Sequence, residues 1–220
     1  MGLFPLLLTS DVERDSIGAN TPLDFFSQSD AVETAITDVQ SMVETYLDRI
    51  LTVRKSVQIV DYARWQIQWS FNYSLGFLQE YPLVKILNVE DSDGEDITDE
   101  YSIPVVTKYK EHRIQGQSRV SNNIQVTAYT GYRREDQTLA DIQALGDEYD
   151  DLDVLPPKLP SDIRGIITKL VLNRLTLAST GQLGTGQKVM GGVDDVRLSE
   201  PASDFESDCL VRLADYRAVY

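Results

Sequence analysis

"DAVETAITDVQSMVETYLDRILTVRKSVQIVDYARWQIQWSFNY", residues 30–73, changes its hydrophobic period part-way along. At its start Val32, Ile36, Val39, Val43, Tyr46, Leu47 and Ile50 recur at helical spacing. Asp30 is placed to cap the first turn, and Glu33 to reach back to it, so a helix is expected over about 30–51. At its end Trp65, Ile67, Trp69 and Phe71 alternate with Gln66, Gln68, Ser70 and Asn72, which sets the large side chains on one face of a strand. A helix followed by a sheet is the beginning of an α+β fold.

The sheet signals continue downstream. "YPLVKILNVED" reads as a strand running into "DSDGED", where Asp93-Gly94 suits a tight turn. "DITDEYSIPVV" and "KYKEHRIQG" are short strand candidates, and "NNIQVTAYTGY" is a clear one, with Ile124, Val126 and Ala128 opposite Gln125, Thr127 and Tyr129. The segment 133–160 is acidic towards its end and closed by prolines, and reads as a surface excursion with one helical turn around Leu139–Leu145. Ser161 and Asp162 then open a second helix over 161–179, carrying Ile163, Ile166, Ile167, Leu170, Val171 and Leu175 and stopping near Gly181. The expected organisation is an N-terminal arm over 1–29, a core over 30–180 with its β region at 55–132, and a tether with a C-terminal segment over 181–220. That is a small helical core, two main helices plus a C-terminal one, with a β-sheet or hairpin insertion and extended termini. The arm's apolar residues, Leu3, Phe4 and Leu6 to Leu8, are too few to span a bilayer and read as a docking arm for this chain or a neighbour.

Composition narrows the function classes. Among 220 residues, 35 acids against 20 bases give a net charge of -15, a field that repels polyanions. Cys209 is the only cysteine, so neither an intrachain disulfide nor a thiolate metal cluster can form.

The chemical motifs each fail at a required position. "GQLGTGQKVMGG", residues 181–192, resembles a phosphate loop, yet it follows a helix, Gln187 separates Gly186 from Lys188, and Val189 stands where a hydroxyl belongs. "DSDGEDITDE" lacks the ligand spacing of a calcium loop. His112 is the sole histidine, flanked by charge and with no nucleophile elbow in the chain. Paired carboxylates for glycoside chemistry carry no information in so acidic a chain. No catalytic residue, metal or cofactor is expected. The C-terminal stretch "SDFESDCLVRLADYRAVY" offers Ser203 and Glu206 as a cap and Phe205, Leu210, Leu213 and Tyr216 as an apolar stripe.

The ordered series "YLDRIL", "YPLVKILNVED", "NNIQVTAYTGYR", "LPPKLPSDIRGIITKLVLNRLTLASTG" and "LVRLADYRAVY" resembles the head-to-tail adaptor proteins of tailed bacteriophages, also called connector or head completion proteins. The resemblance covers roughly residues 30–220. It implies a non-enzymatic homo-oligomeric ring of about twelve subunits beneath the portal protein. Such a ring extends the DNA channel, with DNA passing unbound, and presents a platform for a tail stopper or terminator. It sits in the virion neck, is assembled in the host bacterial cytoplasm and involves no membrane. The resemblance further implies docking on the portal or a neighbouring subunit through Phe205, Leu210, Leu213, Tyr216 and Arg217, while the acidic run of Asp147, Glu148, Asp150, Asp151 and Asp153 reads as a solvated loop or as a lumen surface that DNA passes without sticking. The alternatives are a stopper or terminator of the same particle, or a carbohydrate-binding module or glycoside hydrolase resting on Trp65, Trp69 and surplus carboxylates.

Overall fold

The computed structural model describes residues 5–16, 29–60, 65–68, 73–103, 113–116, 123–179 and 202–216. Its elements in chain order are α1 (Thr9–Ser16), α2 (Ser29–Leu47), β1 (Arg54–Val60), β2 (Trp65–Gln68), β3 (Tyr73–Phe77), β4 (Leu83–Glu90), β5 (Tyr101–Ser102), β6 (Arg113–Gly116), β7 (Ile124–Thr130), α3 (Leu139–Gln143), α4 (Ser161–Ser179) and α5 (Ala202–Val211). The chain is α+β, as the change of period predicts, and divides into a helical unit, Pro5–Asp48 with Pro160–Arg217, and a β unit, Arg49–Leu159.

In the helical unit α2 and α4 bury the residues their spacing picks out. Val32, Ile36, Val39, Val43 and Leu47 on α2 and Ile163, Ile167, Leu170, Val171 and Leu175 on α4 are buried, and the two helices pack against each other as its core. The N-terminal segment is more than an extended arm. Leu6, Leu7 and Val12 are buried, the Leu6 amide donates to Gln40 Oε1 at 2.9 Å, and Arg164 donates to Asp11 at 3.1 Å. An eight-residue helix is marginal alone, so α1 draws its stability from these contacts. α2 ends at Leu47, short of the expected residue 51, because Asp48 takes φ 54, the left-handed conformation that terminates helices.

The β unit holds two antiparallel sheets, in the orders β1-β7-β4 and β2-β3-β6-β5. Val60, Val89, Ile124, Val126 and Ala128 of the first pack with Tyr101 and Ile114 of the second and with Leu78 and Leu83. The single strand expected across 64–73 is two: β2 pairs with β3 as Gln68↔Tyr73, so the chain reverses direction within it. Ser70 and Asn72, which fit the alternation as polar positions, are equally residues that favour turns. β1, not singled out from the sequence, is the seven-residue edge strand of the first sheet. Of "DITDEYSIPVV", the described residues form a 3-10 turn over Thr98–Glu100 and the two-residue β5, and 104–106 lie outside the described residues. The Asp93-Gly94 turn forms with Gly94 at φ 83, and Asp91 Oδ1 accepts the amides of Asp93 and Glu95.

Gly131 closes β7 where only glycine fits. Its φ is 107, and a Cβ there would stand 2.5 Å from the Thr52 carbonyl oxygen. Around it Tyr132 donates its amide to Leu51 and Val53 donates to Tyr132.

Candidate functional site

The acidic stretch 147–153 is the expected surface that the structure defines best, and it is built from both ends. At its start Thr138 and Asp141 form a reciprocal capping box for α3. At its end the Arg133 guanidinium is buried and donates to the carbonyls of Pro156, Arg134, Glu135 and Gln137, while Arg133 N and O bond Pro157 and Leu159. Four carbonyls gathered by one guanidinium, with two main-chain bonds beside them, tie the prolyl segment 156–160 to the turn that follows β7. Sequence reasoning missed Arg133. An Arg beside a second Arg in a polar run gives no sign of burial.

Between these anchors the segment is a lobe with a core, where the sequence suggests a simple surface excursion. Tyr149 and Leu152 are buried among Val53, Val84, Tyr129 and Ile142. The Tyr149 hydroxyl donates to Val53 O at 3.1 Å, and its ring stacks on Tyr129 with centroids 6.3 Å apart. The Tyr129 hydroxyl donates to the Glu148 carbonyl, and Gln143 donates to the Leu152 carbonyl. Lys85 completes the seat by donating to the Asp151 carbonyl at 2.7 Å and pairing with Asp153 at 2.9 Å.

The electrostatics follow from this seating. Burial, then the carboxylates of Asp151, Asp150 and Glu148, raises the Tyr129 phenol above its usual range, so it stays a neutral donor. Tyr149 is raised by burial and by Glu148. The hydrogen bond from Lys85 holds the Asp153 carboxyl below its ordinary value. Asp147, Asp150, Asp151 and Asp153 face outward and exposed, and Glu148 is half-buried. Of these five only Asp153 pairs with a described cation. No group of three His, Cys, Asp or Glu suited to a metal occurs among the described residues. No described helix is long and apolar enough to cross a membrane.

No family model matches the chain, and no curated protein matches it in sequence. Among solved structures the chain is similar to one described as the neck of an empty GTA particle computed with C6 symmetry. The identity is 11%, the TM-score 0.46, and the alignment covers 100% of this chain and 97% of that one.

The C-terminal stripe lies in the helical unit and is partly covered there. Leu213 and Cys209 are buried, whereas Phe205, Leu210 and Tyr216 are half-buried. Tyr216 donates its hydroxyl to Asp162 at 3.1 Å, and Glu206 pairs with Arg174 at 3.7 Å. The buried positions follow Cys209 and Leu213, four residues apart; the thiol, small and apolar when protonated, takes a core place that the sequence reading assigned to Leu210. Val211 on the outward side is 64% exposed. Arg217, residues 181–192, His112 and Trp69 lie outside the described residues. Trp65 is described as a strand position paired with Gly76.

Proposed function

We propose that this chain is a structural neck subunit of a tailed-phage type particle, a head-to-tail adaptor that assembles as a ring of about twelve copies beneath the portal. The observation that carries the reading is the acidic lobe. Arg133, Tyr149 and Leu152 hold it to the sheet, and the carboxylates of Asp147 and Asp150 point outward without a described cation beside them. A fixed acidic surface repels phosphate, so repeated around a channel it lets DNA slide without adhering. The role is structural and uses no cofactor or catalytic centre. Its partners are further copies of the chain, a portal, and a tail stopper or terminator on the opposite side.

The C-terminal segment is the portal-side or neighbour-side contact in this reading. With Leu213 buried in the helical unit, docking through the whole stripe requires α5 to leave α4, whereas docking through the outward side uses Val211 as it stands.

The test mixes the purified full-length chain with tailless, portal-bearing heads, followed by sedimentation and negative-stain imaging. The expected result is co-sedimentation and a ring of density at the portal vertex. Failure to bind such heads, with the chain folded by circular dichroism, overturns the adaptor role.

A further inference from the structure

β1 leaves part of the first sheet uncovered. Its outward residues Lys55, Val57 and Ile59 stand opposite Tyr129, Thr127 and Gln125 of β7. The lobe seals the Tyr129 end of that face, while Val57 is 60% and Ile59 61% exposed. A groove of about 570 Å³ runs along the same strand, walled by Arg54, Lys55, Val57 and Ile59 on one side and by Gln79 and Glu80 on the other. Arg54 is matched by Glu80 at 2.6 Å, but Lys55 is exposed and makes no ion pair with a described residue. The outward face of this seven-residue strand therefore offers two exposed β-branched residues and one cation, while Gln58 on its other face bonds the main chain of Gln79 and Glu80.

The lobe carries the complementary pattern. Asp151 is exposed and its carboxylate has no described cation partner, while Val154 at 47% and Leu155 at 46% exposure follow it. Four residue steps separate Asp151 from Leu155, and four separate Lys55 from Ile59. Along β1 those four steps span about 13 Å. Charge at one end and two aliphatic side chains at the other match in order.

We infer that the β1 groove of one copy docks the Asp151–Leu155 segment of a second copy, with Asp151 meeting Lys55 and with Val154 and Leu155 covering Val57 and Ile59. The two surfaces are different, so the contact is head-to-tail and each copy keeps one free groove and one free lobe, the arrangement that closes into a ring. On a chain of net charge -15 it sets an exposed cation against a neighbour's carboxylate, where like-charge repulsion would otherwise oppose assembly. The inference rests on the ring reading above and names its subunit interface.

The test uses full-length chain as an equal mixture of isotopically light and heavy copies, treated with a carbodiimide that couples amines to carboxylates without a spacer. Mixed light–heavy peptides joining Lys55 to Asp151 are expected. By sedimentation, Lys55→Glu or Asp151→Lys should weaken self-association about tenfold, and the double reversal should restore it. An oligomer indifferent to both reversals, or a chain monomeric at every concentration, overturns the interface; head binding then decides the adaptor role separately. A closed dimer carrying the Lys55–Asp151 link would keep the docking pair and overturn the ring.

Discussion

The guanidinium of Arg49 lies over the ring of Tyr81, 3.5 Å from its centroid, and donates to the carbonyl oxygen of the same residue at 2.6 Å. Tyr132 stands on another side with its centroid 5.8 Å away. Arg49 is buried with Nε and Nη2 unbonded, and among the described residues its charge is stabilised by aromatic faces and one carbonyl in place of a carboxylate. Arg49→Ala removes the stem packing and leaves the Tyr81 carbonyl without this donor, and should cost about 3 kcal/mol. Arg49→Met keeps the stem and removes a buried charge, and should cost no more than about 1 kcal/mol. Urea unfolding of both variants separates packing from charge; equal losses would refute this account.

The lobe's attachment is testable at Tyr149. Tyr149→Phe deletes only the bond to Val53 O and should cost about 1–2 kcal/mol. Tyr149→Ala also empties the space between Tyr129 and Leu152 and should cost about 3–5 kcal/mol. Limited proteolysis should then cut 144–155 in the Ala variant well before the remainder of the β unit. Cleavage elsewhere first would show that the lobe is not held by this ring.

Two glycines with positive φ should respond unequally. Gly94 has open space around its Cβ position, so Gly94→Ala meets only the backbone cost of about 1 kcal/mol. Gly131→Ala drives a methyl group into Thr52 O and should cost more than about 3 kcal/mol. Thermal melts of the pair decide it, and a Gly131→Ala protein as stable as Gly94→Ala would contradict the packing at the end of β7.

Stability should fall at both pH extremes for identifiable reasons. Asp141 is held below its usual value by the Thr138 amide and hydroxyl, and Asp153 by Lys85. A lowered folded value means that their contribution is complete above about pH 4 and is lost as pH drops through the lowered values. At the other end burial, and then Glu100, pushes Tyr101 up to about 12. That contribution is complete below about pH 10 and disappears as pH rises towards the folded value. Asp141→Asn should flatten the acid limb of a melting-temperature profile, and Tyr101→Phe the alkaline limb. An unchanged limb in either variant would mean that other groups govern it.

The C-terminal helix has an inward and an outward side. Leu213→Ala should cost the helical unit about 2–4 kcal/mol, because the side chain is fully buried. Val211→Asp should change stability by less than about 0.5 kcal/mol, being largely exposed. If Val211→Asp keeps the melting temperature but abolishes binding to portal-bearing heads, α5 docks by its outward side. Binding that survives Val211→Asp would assign the contact to another surface.

Much of this fold follows from local pattern. The 3.6-residue period of α2 and α4 and the two-residue period of β7 are amphipathic signals, and each element buries the face its own spacing marks. The Asp93-Gly94 turn and the short α3 were equally legible, since turn and cap chemistry act between near neighbours. Tertiary structure decided what depends on distant partners. Tyr149 and Leu152 look like interruptions in an acidic run; their burial requires Val53, 96 residues from Tyr149, to supply the opposite wall. Arg49 and Arg133 read as surface cations until aromatic rings and a fan of carbonyls surround them. The reversal between β2 and β3 wins over continuous alternation because β3 also pairs with β6. Periodicity records which face of an element is apolar, and only long-range packing determines what that face meets and which polar groups are enclosed with it.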